Sequence, residues 1–203
     1  MRTLFAIAVG LALSTAALLD RSPPRRATPE RGTLDGLLAS GPAPDVADDM
    51  MVFGRLVGSW DIAYTAYLDS GKTLTATCEW NWAWVLDGRA VQDVWVCPSR
   101  AERKRNPKPG GEWGTTVRMY DPKRDVWKVV FVGPAYANMN TLTAHAQGAV
   151  IVQDGTGGDG QPVHWNFTDI TPTSFRWYSE KSKDGGRTWV HTEQMLARRR
   201  PIE

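Results

Sequence analysis

The stretch Glu79-Trp80-Asn81-Trp82-Ala83-Trp84-Val85-Leu86-Asp87-Gly88-Arg89-Ala90-Val91-Gln92-Asp93-Val94-Trp95 decides the fold. Trp80, Trp82 and Trp84 recur at a spacing of two, and side chains spaced by two project from one face of a β-strand. Asp87-Gly88 is a signal for a two-residue hairpin turn. If that pair is the turn, opposed residues have numbers summing to 175, which sets Trp80 against Trp95, Trp82 against Asp93, and Cys78 against Cys97. One sheet face then carries four tryptophans, one carboxylate and both cysteines of the chain. Cysteines opposed in a hydrogen-bonded antiparallel pair lie about 5.5 Å apart at Cα, within disulfide reach. A cross-strand disulfide is the expectation, with two packed thiols or a metal or redox pair as alternatives.

Outward from this hairpin, alternation continues from Gly58 onward, with turn signals every eight to fifteen positions. The pattern predicts strands at 59–68, 73–86, 89–98, 113–120, 126–132, 139–146, 149–153, 163–170, 175–182 and 188–197. The turn residues between them include Asp121-Pro122, Gly133-Pro134, Thr171-Pro172 and Asp184-Gly185-Gly186. About ten sequential strands with short connections indicate an all-β, antiparallel up-and-down barrel, since closure leaves no open edge.

The flanks set domain organisation. Residues 1–19 place Arg2 before an uncharged run from Thr3 to Leu19, with Thr15-Ala16-Ala17 as a cleavage site, and read as a signal peptide. A periplasmic or secreted protein is expected, an uncleaved N-terminal membrane anchor or an overlong gene start being the alternatives. Residues 20–50 include five prolines after position 20 and read as a flexible linker, with a short helix near its end at 45–57. The barrel occupies 51–198, and 199–203 form a tail.

The 24 basic and 22 acidic residues give a formal charge of +2, too little to imply a nucleic-acid partner. Positive charge gathers at 100–108, read as part of a long loop, and at 198–200. These read as a solvated loop and tail, or as an anion or membrane-surface contact. Membrane contact is expected only through the N-terminal segment or that basic loop. Oligomeric state is not legible.

Gly58-Ser59-Trp60, opening the first strand, resembles the Gly-x-Trp signature of lipocalins and their calycin relatives. The resemblance implies a tryptophan near the closed end of a barrel, beneath an arginine from the last strands, with Arg176 or Arg198 in that part. Leu56-Val57-Gly58-Ser59-Trp60-Asp61, the 79–95 stretch, Arg118 to Pro122 with Trp127 to Val130, and Asp169 to Trp177 together resemble a bacterial domain family of unknown function with a lipocalin-like barrel. That resemblance covers nearly everything from Met51 to Arg198 and implies the fold, without a reaction or ligand. Ser182 to Trp189 fits the Asp-box pattern of sialidase-like propellers. A single copy reads as hairpin stabilisation, because a propeller needs repeated blades.

Trp60, Tyr64, Trp80, Trp82, Trp84 and Trp95 share the interior face, either filling it or lining a cavity. Asp93 reads as a carboxylate bonded to Trp82 or to a strand-face arginine such as Arg118, or else as a ligand-orienting acceptor or weak base. His145, His164 and His191 fall on three strands without a short-spaced ligand pair, so no metal or haem is expected. His191 and Glu193 are assigned to one face of the last strand and Arg176, Tyr178 and Glu180 to one face of its neighbour: a charge ladder, or an acid–base pair at the barrel mouth. No hydrolase elbow, dinucleotide fingerprint or phosphate loop is present, and no cofactor is expected. The reading is noncatalytic binding of a small, mainly apolar or aromatic molecule. Trp80, Trp82, Trp84 and Trp95 provide contact area, and Tyr64, Asp93 and Arg118 are the polar contacts. A cofactor-free isomerase, cyclase or hydrolase using the same cavity, and a structural or interaction barrel, are the alternatives.

Overall fold

The alternation from Gly58 to Arg199 becomes ten strands in the computed structural model, which describes residues 31–107 and 110–201. The 1–19 segment read as an export signal lies outside the described residues. The strands are β1 (Gly58–Tyr67), β2 (Thr73–Val85), β3 (Ala90–Cys97), β4 (Glu112–Asp121), β5 (Val126–Gly133), β6 (Asn138–Gln147), β7 (Val150–Thr156), β8 (Pro162–Thr168), β9 (Ser174–Lys181) and β10 (Val190–Arg199). Each pairs antiparallel with the next, and β10 returns to β1, giving a closed up-and-down barrel of calycin type. Closure follows from short loops, since neighbours in sequence become neighbours in space and the last free edge is met by the first.

The β2–β3 hairpin has the register derived from its turn: Trp80 opposes Trp95, and Trp82 opposes Asp93. Its turn is more contorted than a simple Asp-Gly pair, because Leu86 and Asp87 both take φ 53° and Gly88 takes φ 79°. Gly88 is required there twice over. Its φ suits glycine, and a Cβ would collide with the backbone at Gly41 to Ala43. Cys78 and Cys97 are joined by a disulfide. Their Cα separation of 4.5 Å is that of a non-hydrogen-bonded pair rather than the wider spacing expected.

Among the described residues, three short α-helices accompany the barrel: α1 (Arg31–Gly36), α2 (Ala47–Gly54) and α3 (Arg100–Arg105). Part of the stretch read as a flexible linker is packed on the barrel. Ala39 N–H bonds to Trp84 O at 3.1 Å, Ala43 N–H bonds to Gly88 O at 3.1 Å, and Ala43 is buried. Bonding to the β2–β3 turn holds these residues where composition alone suggested a spacer. Helix α2 closes one end of the barrel. Its Met50 and Phe53 are fully buried, and Phe53 meets Trp127 edge-on at 4.9 Å and Phe167 at 6.1 Å.

Trp60 completes the closed end. Its indole N–H donates to Leu56 O at 2.8 Å, and Arg199 lies over its ring at 4.0 Å. The arginine is therefore Arg199, not Arg176 or Arg198. Met195 and Ala197 face inward on β10, and period-two alternation carries Arg199 to the same face and Arg198 to solvent. Arg199 also donates to Val57 O and Pro172 O, tying the entry to β1 to the β8–β9 turn.

Residues 100–105, read as loop, form α3. Ser99 caps it by accepting from Glu102 N–H at 3.1 Å, so the Ser-x-x-Glu spacing was a helix start that the basic composition obscured. Arg103 is not simply solvated: it donates to the carbonyls of Pro98, Gly110 and Cys97 and lies 3.9 Å from the Trp113 ring centre. The Asp-box turn is structural. Asp184 accepts from Thr188 N–H and Thr188 hydroxyl at 2.8 and 2.7 Å, bonds that hold its pKa down at about 2. Trp189 stacks on His164 with ring centres 3.3 Å apart.

Candidate functional site

Opposite the α2 end, the inward-facing side chains stop short of filling the barrel and leave a cavity of about 830 Å³. That volume lies within the range of small-molecule sites. Its wall is a chain of rings in contact. Tyr64 lies 5.9 Å from Trp95, Trp95 5.7 Å from Trp80, Trp80 6.2 Å from Trp177, Trp177 5.7 Å from Trp165, and Trp165 5.6 Å from Phe131. Most of these meet edge to face, the arrangement favoured by the aromatic quadrupole. Fixed mutual contacts of this kind preorganise the wall, so a guest need not order it.

The tryptophan stretch divides between wall and floor. Trp80 and Trp95 line the cavity; Trp82 and Trp84 do not. Trp82 packs beneath α2, 5.7 Å from Phe167 and stacked with Phe53, while Trp84 lies against Gly54 at the edge of the same helix. Alternation assigns a side chain to the inside but says nothing of its depth along the barrel axis. Trp165, Trp177 and Phe131 belong to the wall and were missed as site residues. The period-two runs Val163-Trp165-Phe167 and Phe175-Trp177 carried the signal.

Tyr64, Asp93 and Arg118 all reach the cavity. Asp93 and Arg118 form a buried ion pair through Asp93 Oδ2, with side-chain exposures of 0% and 1%. The Arg118 guanidinium also lies 4.1 Å from the Trp82 ring centre and 5.0 Å from that of Phe53. Burial lowers the pKa of Arg118 from its ordinary value, and Asp93 opposes that shift. The pair forms the junction between the packed floor and the open chamber. Asp93 Oδ1 and Trp80 Nε1 are buried there without a hydrogen-bond partner among the described residues.

Two further carboxylates line the cavity. Glu193 accepts from Tyr64 hydroxyl at 2.6 Å, and Glu112 accepts from Trp95 Nε1 at 3.3 Å. Burial raises the pKa of Glu193, with a further push from Glu112 and an opposing pull from the Tyr64 bond. Burial likewise raises Glu112, against the Trp95 bond. The Tyr64 phenol is held well above its usual range by burial and by the Glu193 charge.

Glu193 corrects the face assignment made for β10. The register shifts between His191 and Glu193, so His191 opposes Glu180 while Glu193 opposes Ser179. Glu193 is in phase with the inward Met195 and Ala197, and the bulge inserts one residue before it, so that His191 turns outside and stacks on Tyr178 at 5.3 Å. His164 lies 3.3 Å from Asp154 Oδ1, away from the chamber, and His145 is exposed. Among the described residues no three His, Cys, Asp or Glu side chains are grouped to hold a metal ion.

Two solved structures share this architecture. The S-type phycobiliprotein lyase CPES from Guillardia theta aligns with a TM-score of 0.54 at 12% identity, over 75% of this chain and 93% of that one. Rv2717c from M. tuberculosis aligns with a TM-score of 0.55 at 13% identity, over 79% of this chain and 99% of that one. At such identities the likeness is one of fold. No family model and no curated protein sequence matches the chain.

Proposed function

We propose that this protein is an exported carrier whose barrel holds one small, mainly aromatic or apolar molecule in the open-end cavity. The carrying observation is a chamber of about 830 Å³ walled by contacting aromatic rings, with Tyr64, Glu112 and Glu193 as polar groups on its lining. Covering about 200 Å² of a guest's apolar surface contributes roughly 5 kcal/mol at ~25 cal/mol per Å². The polar lining groups Tyr64, Glu112 and Glu193 then fix its orientation. Export is supported by the uncharged run from Thr3 to Leu19 and by the cystine, which suits an oxidising compartment.

The test is a titration with the neutral fluorescent probe N-phenyl-1-naphthylamine. Saturable enhancement at one probe per chain, with quenching of tryptophan emission, is the expected result. Val163→Trp, which grows a wall residue into the chamber, should abolish it while the fold persists. Absence of a saturable signal up to the probe's solubility limit counts against the proposal.

A second reading is favoured by the convergence of Glu193, Tyr64 and Glu112 on the same chamber. Carboxyls with raised pKa values suit general acid–base work near neutral pH, as a cofactor-free isomerase, cyclase or hydrolase requires. Turnover of a bound compound that Glu193→Gln abolishes without weakening its binding would favour this reading over a carrier.

A further inference from the structure

The cavity wall carries more negative charge than its own cations neutralise. Its lining includes four carboxylates, Asp93, Glu112, Asp159 and Glu193, and two cations, Arg118 and Lys181. Both cations are engaged, Arg118 with Asp93 and Lys181 with Asp159. Glu112 and Glu193 form no ion pair among the described residues; their hydrogen bonds come from Trp95 and Tyr64.

Those two carboxylates flank neighbouring rings. Glu112 touches Trp95, the Trp95 ring lies 5.9 Å from that of Tyr64, and Tyr64 bonds Glu193. A positively charged group seated on this arc would meet two carboxylates and two aromatic rings at once. Both kinds of contact attract a cation, and both are strengthened where water is displaced. A neutral guest would strip water from Glu112 and Glu193 without compensation, and an anionic guest would be repelled.

Resting on the proposed carrier function, we infer that the cavity selects an organic ammonium ion: an amine, charged at neutral pH, on an aromatic or aliphatic body. The raised pKa values of Glu112 and Glu193 agree with this assignment, because ionising them in the empty chamber is costly and a bound cation offsets that cost.

Calorimetric titration at pH 7 with 4-phenylbutylamine, 4-phenylbutan-1-ol and 4-phenylbutanoate tests charge at constant ring and chain length. The amine should bind at least tenfold more tightly than the alcohol, and the acid most weakly. Glu112→Gln and Glu193→Gln should each lower amine affinity about tenfold while leaving the alcohol within twofold, a split that loss of packing would not produce. The comparison of probes on the unaltered protein decides the matter even if a variant misfolds. Equal or tighter binding of the alcohol overturns the preference for a cation and leaves the carrier reading standing. Failure of all three overturns the preference as well, and the carrier reading falls with it only if the naphthylamine probe also fails.

Discussion

Asp93→Asn removes one charge while nearly preserving shape, and the structure predicts a large effect on stability. Asp93 and Arg118 have side-chain exposures of 0% and 1%, so the substitution strands a guanidinium between the rings of Trp82 and Phe53. Removing one partner of a buried pair costs about 3–5 kcal/mol, a large share of the ~5–15 kcal/mol that holds a domain folded. At about 2–4 °C per kcal/mol for a domain of this size, the melting temperature should fall by roughly 6–20 °C. Adding Arg118→Met removes the stranded charge and keeps an unbranched side chain over Trp82, so the double variant should melt above Asp93→Asn alone. Near-UV circular dichroism follows the packed tryptophans directly and is the appropriate probe, with urea unfolding as a check. If Asp93→Asn melts within about 3 °C of the parent, or the double variant melts no higher than Asp93→Asn, the reasoning about a dry, obligate pair is wrong. The same coupling affects binding assays: Asp93→Asn must be titrated well below its melting point before any loss is ascribed to ligand contact.

Reducing the Cys78–Cys97 bond, whose partners lie 19 residues apart, should lower stability by about 3 kcal/mol on the loop-entropy model, read as a shift in urea midpoint with and without reductant. Gly54→Ala places a methyl against Trp84 and the Met51 sulfur and should cost about 1–3 kcal/mol by overpacking; a melting temperature equal to the parent's would mean that Trp84 moves aside freely. Glu193→Gln should stabilise the ligand-free barrel at pH 7, even as it weakens amine binding. The folded pKa of Glu193 is raised above 4.5, so the folded state binds more protons and this group's contribution to stability falls as pH rises through that interval. Melting curves from pH 4 to pH 8 should show the advantage of the variant growing with pH, with Glu112, Tyr64 and Lys181 the other ionisable neighbours acting on Glu193. A constant advantage across that range would contradict the assigned shift.

Strand pairing was unusually legible in the 79–95 stretch because the sum rule around a short turn is arithmetic, and the observed register obeys it even though the turn itself involves Leu86 at positive φ. The β10 face was misread for the complementary reason. Thr192 looks like an ordinary strand residue, yet it sits at the register shift that takes His191 off the inward face held by Glu193 and Met195. Nor did the basic residues of α3 reveal that Arg103 is committed to three backbone carbonyls, since composition does not show that the chain on either side of α3 folds back around its side chain.

The amino-acid sequence by itself determined the closed meander, the opposition of Trp80 with Trp95 and of Cys78 with Cys97, and the inward face of Asp93, because alternation and short turns are local properties. Only the tertiary structure decided that Trp82 is floor and Trp80 is wall, that Arg118 is the partner of Asp93, and that Trp165, Trp177 and Glu193 complete the chamber. Depth along a barrel axis depends on how α2 seals one end and how ten strands stagger as they close, and no single hairpin contains that information.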